Sequence, residues 1–369
     1  MGPTIAIDIS ALRGVTTGIP RYIQELVGAL GRLGGEERYL ALRRGAPQEG
    51  VQFPGVETIS AQVPLWLTMY LPWTLLRRGC RLVHFPYAAL PPWLPCPCVV
   101  TMHDLSFVRN PEWFTPEMVS LLRRTWLPAL RRADHIICIS DFTRRELIEL
   151  QGVAPERMTV TLLGASSPVP PPAAPRPHLN GGRPYVLGVG TLQPRKNYPR
   201  LIEAFARAGQ ALGGFDLCLA GVPGWKHEDL AAVAARCGVG ERLKLPGAVS
   251  DQDLQAWYQH ATALALPSLY EGFGLPLLEA MAMGVPCLTS DRSALPEVAA
   301  GAAVLVDPTD GDAIAQGLVQ VCLDQELRSR LRERGRQRAA ELTWERCAQA
   351  TRDAYRRALG RDNGGGGGV

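Results

Sequence analysis

Short apolar runs alternate with amphipathic helical stretches along the whole chain, and that alternation constrains its fold more than any other feature. A β-branched or apolar run followed by a helix-period segment marks a strand and the crossover to the next parallel strand. In the first half, strands are predicted at Ile5–Ile9, Leu82–Phe85, Cys98–Met102, His135–Ile139 and Met158–Leu162. In the second they are predicted at Tyr185–Val189, Asp216–Ala220, Leu243–Leu245, Ala263–Leu266, Pro286–Thr289 and Ala303–Val306. Between the halves lies Ser166–Pro177, whose prolines suit neither a helix interior nor a β ladder. The expected organisation is α/β: a first domain at 1–166, a Pro-rich linker at 167–182, a second domain at 183–343, a helix at 344–361 returning toward the first domain, and an unstructured Gly-rich tail at 362–369. Two such halves leave a cleft between parallel sheets, and ligands in these sheets bind beyond the carboxyl ends of the strands.

Composition excludes several classes. A chain of 369 residues, 46% hydrophobic and 20% charged, suits a globular protein of about two domains. The uncharged stretches Thr58–Leu76 and Leu82–His103 are too rich in proline for membrane spans. The amino terminus runs directly into the first strand without a basic region, so no secretory signal is expected and the location is read as cytoplasmic. Nine scattered cysteines form no zinc or disulfide framework, and even Cys96 and Cys98 are read as packing residues. The net charge of +4 is modest and no basic arm for nucleic acid is present. Arginine pairs such as Arg77-Arg78 and the aromatic run Trp66, Tyr70 and Trp73 leave a peripheral contact with the inner face of a membrane open, although helical spacing favours burial of the aromatics.

Leu269–Gly284 carries the strongest chemical pattern. It follows a predicted strand, Pro276 suits a first helical turn and Gly284 a position just past a helix end, so a helix of about two turns is predicted to start near Leu275. Gly272 and Gly274 let the backbone approach a ligand, and unpaired N–H groups at a helix start attract anions. Glu271 precedes that helix and Glu279 lies within it. With twenty glutamates in the chain, their eight-residue spacing is expected about once by chance; the intervening Gly-Phe-Gly-Leu-Pro and its position are what discriminate.

Here the chain resembles the family 4 retaining glycosyltransferases, whose signature is a glutamate, seven residues with a Gly-Phe-Gly-x-Pro core, and a second glutamate. The resemblance covers nearly the whole chain. It implies the GT-B fold, with two Rossmann-like domains, the first binding the acceptor and the second the nucleotide sugar. It further implies that Glu271 contacts the donor sugar, that Gly272, Phe273, Gly274 and Leu275 line the donor site, and that Glu279 meets the ribose. In Gly190–Asn197, Lys196 falls on the family's lysine for the donor diphosphate, while Thr191 stands where an arginine is usual; Arg195 is the expected substitute. This Pro-Arg-Lys-Asn variant looks like the mannosyltransferase branch and leans the donor toward GDP-mannose. His103, just past a strand, would lie over the donor sugar or orient the acceptor. Gly18, in the loop from the first strand to the first helix, would come near the donor phosphate, although Pro20 stands where a second glycine is frequent. Asp104, Ser140 and Glu297 are weaker candidates, the first two equally suited to capping helices.

The resulting expectation is a retaining hexosyl transfer to a hydroxyl of a glycan or lipid-linked saccharide. No metal and no cofactor are expected, with Arg195, Lys196 and the helix start near Leu275 acting on the diphosphate in place of a cation. A UDP-sugar glucosyl- or N-acetylhexosaminyltransferase and a nucleotide-sugar epimerase of the same fold stand as alternatives. A nicotinamide oxidoreductase would need the G-x-G-x-x-G fingerprint, which is missing.

Overall fold

A computed structural model describes residues 2–12, 18–46, 52–87, 90–165 and 182–362. The amino-terminal part of the first loop, Arg13–Thr17, most of the Pro-rich linker and the tail 363–369 lie outside the described residues.

The first half forms a seven-stranded sheet from β1 (Thr4–Asp8), β2 (Arg38–Arg44), β3 (Val56–Ala61), β4 (Cys80–Phe85), β5 (Cys98–Met102), β6 (His135–Cys138) and β7 (Met158–Val160). All pairs are parallel, in the order β3-β2-β1-β4-β5-β6-β7. The second half forms a six-stranded sheet from β8 (Tyr185–Val189), β9 (Asp216–Ala220), β10 (Leu243–Gly247), β11 (Ala263–Leu266), β12 (Cys287–Ser290) and β13 (Val304–Val306). It too is wholly parallel, in the order β10-β9-β8-β11-β12-β13. Strands β5, β6, β8, β9, β11 and β12 are buried along their full length, as parallel strands covered by helices on both faces must be. In each sheet the strand order reverses next to the first strand, between β1 and β4 and between β8 and β11. In open parallel sheets ligands bind at such a switch point, beyond the carboxyl ends of the strands.

Two strands were not expected from the sequence. β2 carries arginine at both ends, and the edge strand β3, Val-Glu-Thr-Ile-Ser-Ala, is nowhere fully buried, so neither presents the continuous apolar run of a central strand.

The chain divides into two compact units. One comprises residues 1–109, 116–164 and 343–369, the other 110–115 and 165–342. The short segment Asn110–Thr115 departs from the expected division. Its Trp113 meets Tyr270 edge-on at 6.4 Å, Phe114 stacks on Trp225 at 5.5 Å, and the Lys226 ammonium donates to the Glu112 carbonyl at 2.9 Å. The helix Gln325–Glu341 belongs to the second unit, and Trp344–Asp362, beyond the break at Thr343, to the first. All nine cysteines are free thiols, seven of them buried. Among the described residues no helix is long and apolar enough to cross a membrane.

Candidate active site

In the second unit, the loops after β8 and β11 flank the switch point and meet each other. Their backbones are clasped by the Leu269 N–H, which donates to the Arg195 carbonyl at 2.8 Å. The first loop carries Pro194–Lys196 as a single 3-10 turn, after which Asn197 takes a left-handed conformation and the helix Tyr198–Arg207 begins. Asn197 is buried, and its amide donates to the carbonyls of Pro267 (3.0 Å) and Pro308 (2.7 Å), tying the turn to two other loops. Gly190 has φ 142°, and a Cβ there would lie 3.0 Å from Lys196 Cε and 3.2 Å from its Nζ. A side chain at 190 would therefore compete with the lysine for the same space.

Lys196 is turned inward and buried, and its Nζ lies 2.6 Å from Glu271 Oε1. Ser268 Oγ donates to the same oxygen at 2.8 Å, while Arg195 Nη1 stands 3.8 Å from Oε2. The Glu271 N–H in turn donates to Ser293 Oγ at 3.0 Å. Burial by itself would push the Glu271 carboxyl up, but the Lys196 and Arg195 charges and the bonds from Lys196 and Ser268 outweigh it and hold it below the usual carboxylate range. Glu271 is thus a buried carboxylate gripped by two cations.

Four residues later the helix Leu275–Ala282 begins where the sequence pattern put it. Its N-cap, Gly274, has φ 102°, Pro276 occupies the first turn and no side chain caps the start. Pro276 has no N–H and the Leu277 N–H turns back to the Gly274 carbonyl at 3.0 Å, so the anion-favouring end of the helix next to Glu271 rests on the helix dipole and the Leu275 N–H. Gly272 and Phe273 are buried in the same loop and Leu275 is half-buried. Glu279 is half-buried one turn on, where the Tyr258 hydroxyl donates to its Oε2 at 3.0 Å. Glu297 sits in the short helix Leu295–Ala299, whose start is joined to the loop by the Ala294 N–H donating to the Glu271 carbonyl at 3.3 Å.

The remaining sequence candidates belong to the first unit. His103 directly follows β5, and its Nε2 donates to the Pro86 carbonyl at 2.8 Å. Tyr22 packs edge-on against its ring at 5.0 Å, and Trp126 at 6.4 Å. Burial pushes the His103 pKa down, against the opposing influence of the Pro86 bond and Asp104. With Nε2 carrying the proton, the neutral ring presents Nδ1 as a hydrogen-bond acceptor. Asp104 accepts from the N–H and hydroxyl of Ser106, at 3.0 and 2.6 Å, and so starts the short helix Ser106–Arg109. Ser140 caps the helix Asp141–Gln151 by accepting the Thr143 N–H, and the Thr143 hydroxyl donates to the His103 carbonyl at 3.4 Å. Gly18, exposed with φ 55°, starts the helix Ile19–Arg32; the loop residues before it lie outside the described set.

Sequence reasoning missed Ser268, Ser293, Tyr258 and the anchoring role of Asn197. Asn197 gave a local signal, an asparagine two residues before a helix-starting proline, which suits a left-handed position. The other three are linked to the glutamates only by the fold. The two Asp-x-Asp pairs, Asp251/Asp253 and Asp310/Asp312, sit at helix starts, where Asp310 accepts two backbone N–H groups and Asp253 bonds the capping Ser250. Among the described residues no group of three or more His, Cys, Asp or Glu could hold a metal ion.

The chain is similar to known proteins in sequence and fold. The family profile described as Glycosyltransferase Family 4 matches residues 16–165, and that described as Glycosyl transferases group 1 matches residues 173–338. The O-antigen chain mannosyltransferase B of Escherichia coli is 34% identical over 291 residues, covering 77% of this chain and 76% of its own. Sucrose-phosphate synthase of Thermosynechococcus elongatus is similar in structure with TM-score 0.78 and 22% identity, over 98% of this chain and 100% of its own. HepE of Anabaena, solved in complex with UDP-glucose, gives TM-score 0.74 and 18% identity over 96% and 99%. At such identities these two structures speak for the fold alone. Sequence family and fold agree: the chain belongs to glycosyltransferase family 4 and is a hexosyltransferase of the GT-B fold.

Proposed function

We propose that this glycosyltransferase moves a mannosyl unit from GDP-mannose to a hydroxyl of a glycan or lipid-linked saccharide, with retention of the anomeric configuration and without a metal ion. The observation that carries this reading is the buried Lys196–Glu271 pair, with Arg195 beside it, at an uncapped helix start. Glu271 holds both cations beside that helix start, and on this reading the donor diphosphate meets them there. The Pro194–Asn197 sequence and the 34% identity to an O-antigen mannosyltransferase support mannose over other hexoses.

In this mechanism the bond from the sugar C1 to the diphosphate oxygen breaks while the acceptor oxygen bonds to C1 on the same face. The acceptor proton passes to the departing phosphate. Negative charge grows on that phosphate, and Lys196, Arg195 and the helix start at Leu275 stabilise it. Glu271 accepts from hydroxyls of the donor sugar and Glu279, oriented by Tyr258, from the ribose. In the first unit, His103 offers its Nδ1 to a hydroxyl of sugar or acceptor, and its neutrality at physiological pH keeps that lone pair available. The reaction belongs in the cytoplasm or at the inner face of a membrane, where nucleotide sugars are supplied.

A second reading is a UDP-sugar donor, the kind of ligand with which HepE, of the same fold, was solved. A thermal-shift panel of GDP-mannose, UDP-glucose, UDP-N-acetylglucosamine and the two nucleoside diphosphates separates the readings. GDP-mannose at a hundred times its dissociation constant is expected to stabilise by about 2.7 kcal/mol. A shift with UDP-sugars alone would replace the donor. Nuclear magnetic resonance of the product tests stereochemistry independently: the donor's anomeric configuration is expected to persist, and an inverted product overturns the same-face mechanism.

A further inference from the structure

We infer that the segment Leu65–Arg81 in the first unit is a docking surface for an anionic lipid bilayer. A wide π-type turn, Trp66–Tyr70, leads directly into the helix Leu71–Arg77. One side of the pair is committed to the core: Trp66, Leu71, Pro72, Thr74 and Leu75 are buried. The other side is equally apolar yet faces solvent, with Leu65, Met69, Trp73 and Leu76 exposed by 61, 62, 51 and 64%. Their spacings of four, four and three residues keep them on one side of the helical path. A helical element that is hydrophobic all round is ordinarily enclosed, and a clustered exposed apolar face marks a contact with something else.

Charge identifies the partner. From Thr58 to His103 the chain contains no Asp or Glu, and its formal charges over that span are Arg77, Arg78 and Arg81, all exposed. The Arg77 guanidinium lies over the Trp73 ring at 5.1 Å, which sets a cation at the rim of the apolar face. Arg78 pairs instead with the exposed Glu57 at 3.0 Å, an ion pair open to solvent and screened by salt. Apolar side chains and a tryptophan framed by arginines match the boundary between acyl chains and phosphate headgroups. A second copy of the chain matches poorly, because a two-fold contact would press this same arginine-rimmed patch against itself. The sequence pattern alone pointed to burial for Trp73, since the spacing that exposes it is also that of a core helix.

The test is sedimentation with vesicles of pure phosphatidylcholine and of phosphatidylcholine with one-third phosphatidylglycerol. The protein is expected to partition at least tenfold more strongly onto the anionic vesicles and to be released as ionic strength rises. Met69→Glu/Leu76→Glu is expected to weaken that partition at least tenfold while preserving melting temperature and the nucleotide-sugar thermal shift. Arg77→Gln/Arg81→Gln is expected to lose the preference for anionic lipid. Failure of the wild-type protein to bind anionic vesicles, or undiminished binding by the Met69/Leu76 variant, overturns the inference. So does a wild-type dimer that the Met69/Leu76 variant dissolves, which would assign the face to a second copy. The donor shift is read separately, so this inference and the donor assignment fail independently.

Discussion

Lys196→Ala is expected to lower kcat/KM for sugar transfer at least about a hundredfold, the loss typical when one preorganised group facing developing charge is removed. The same change leaves Glu271 buried without its ammonium partner, and breaking a buried ion pair costs about 3–5 kcal/mol. Burial is the dominant influence on that carboxyl once Lys196 is gone, so its pKa rises and the loop loses its anchor. Activity and stability would fall together in the single variant, which by itself could not separate a catalytic from a structural lysine. The double variant Lys196→Ala/Glu271→Gln separates them. With no buried carboxylate left without its lysine, it is expected to recover most of the lost melting temperature and none of the transfer, and to show no thermal shift with nucleoside diphosphate. Near-normal turnover by folded Lys196→Ala would remove the lysine from the reaction. Recovery of activity along with stability in the double variant would make the pair a purely structural device.

That prediction was accessible from sequence only in part, and the division is physical. Gly274, Pro276 and Gly284 act through local backbone geometry, so the helix Leu275–Ala282 and the approach of Glu271 to its start can be read from neighbouring residues. The direct approach of Lys196 to Glu271 joins residues far apart in the chain across two loops, and it exists because β8 and β11 are adjacent in the sheet. Ser268, Ser293 and Tyr258 are invisible for the same reason: serine before a loop and tyrosine in a helix have no distinctive local signal, and their work depends on strand order. Asp104 and Ser140 show the opposite case, since each follows a strand and precedes a helix, where capping chemistry and ligand chemistry call for the same residues. The edge strand β3 and the exposed Trp73 mark a third limit, where periodicity states that a residue is apolar or polar but not what will cover it.

Acid should unfasten the first unit at one identifiable point. His84 on β4 is fully buried between Tyr355 of the carboxyl-terminal helix, 2.8 Å from its Nδ1, and Thr101 on β5, 2.7 Å from its Nε2. Thr101 is bonded onward to the Tyr22 hydroxyl at 2.9 Å, and Tyr22 is the ring that packs edge-on against His103. A neutral imidazole satisfies this chain with one nitrogen donating and the other accepting. A second proton would turn both nitrogens into donors and strand a buried hydroxyl hydrogen with no acceptor, in a site that already disfavours charge. Burial first, and the nearby His103 second, push the His84 pKa down from 6.5 to about 3. The sign follows: the unfolded chain takes up the proton below pH 6.5 while the folded unit refuses it, so stability is whole above that pH and declines as pH falls toward 3. By pH 4 the decline attributable to His84 is about 3 kcal/mol, at 1.36 kcal/mol per pH unit, or roughly 6–12 °C in melting temperature for a unit of this size. His84→Gln, which keeps a donor and an acceptor but cannot titrate, is expected to melt lower at pH 7 and to lose much less than the wild-type protein between pH 7 and 4. The wild-type imidazole resonance should hold its neutral position down to pH 4. Parallel slopes for the two proteins, or an imidazole that titrates near pH 6, would show that this buried chain does not govern the acid response of the sheet on which His103 stands.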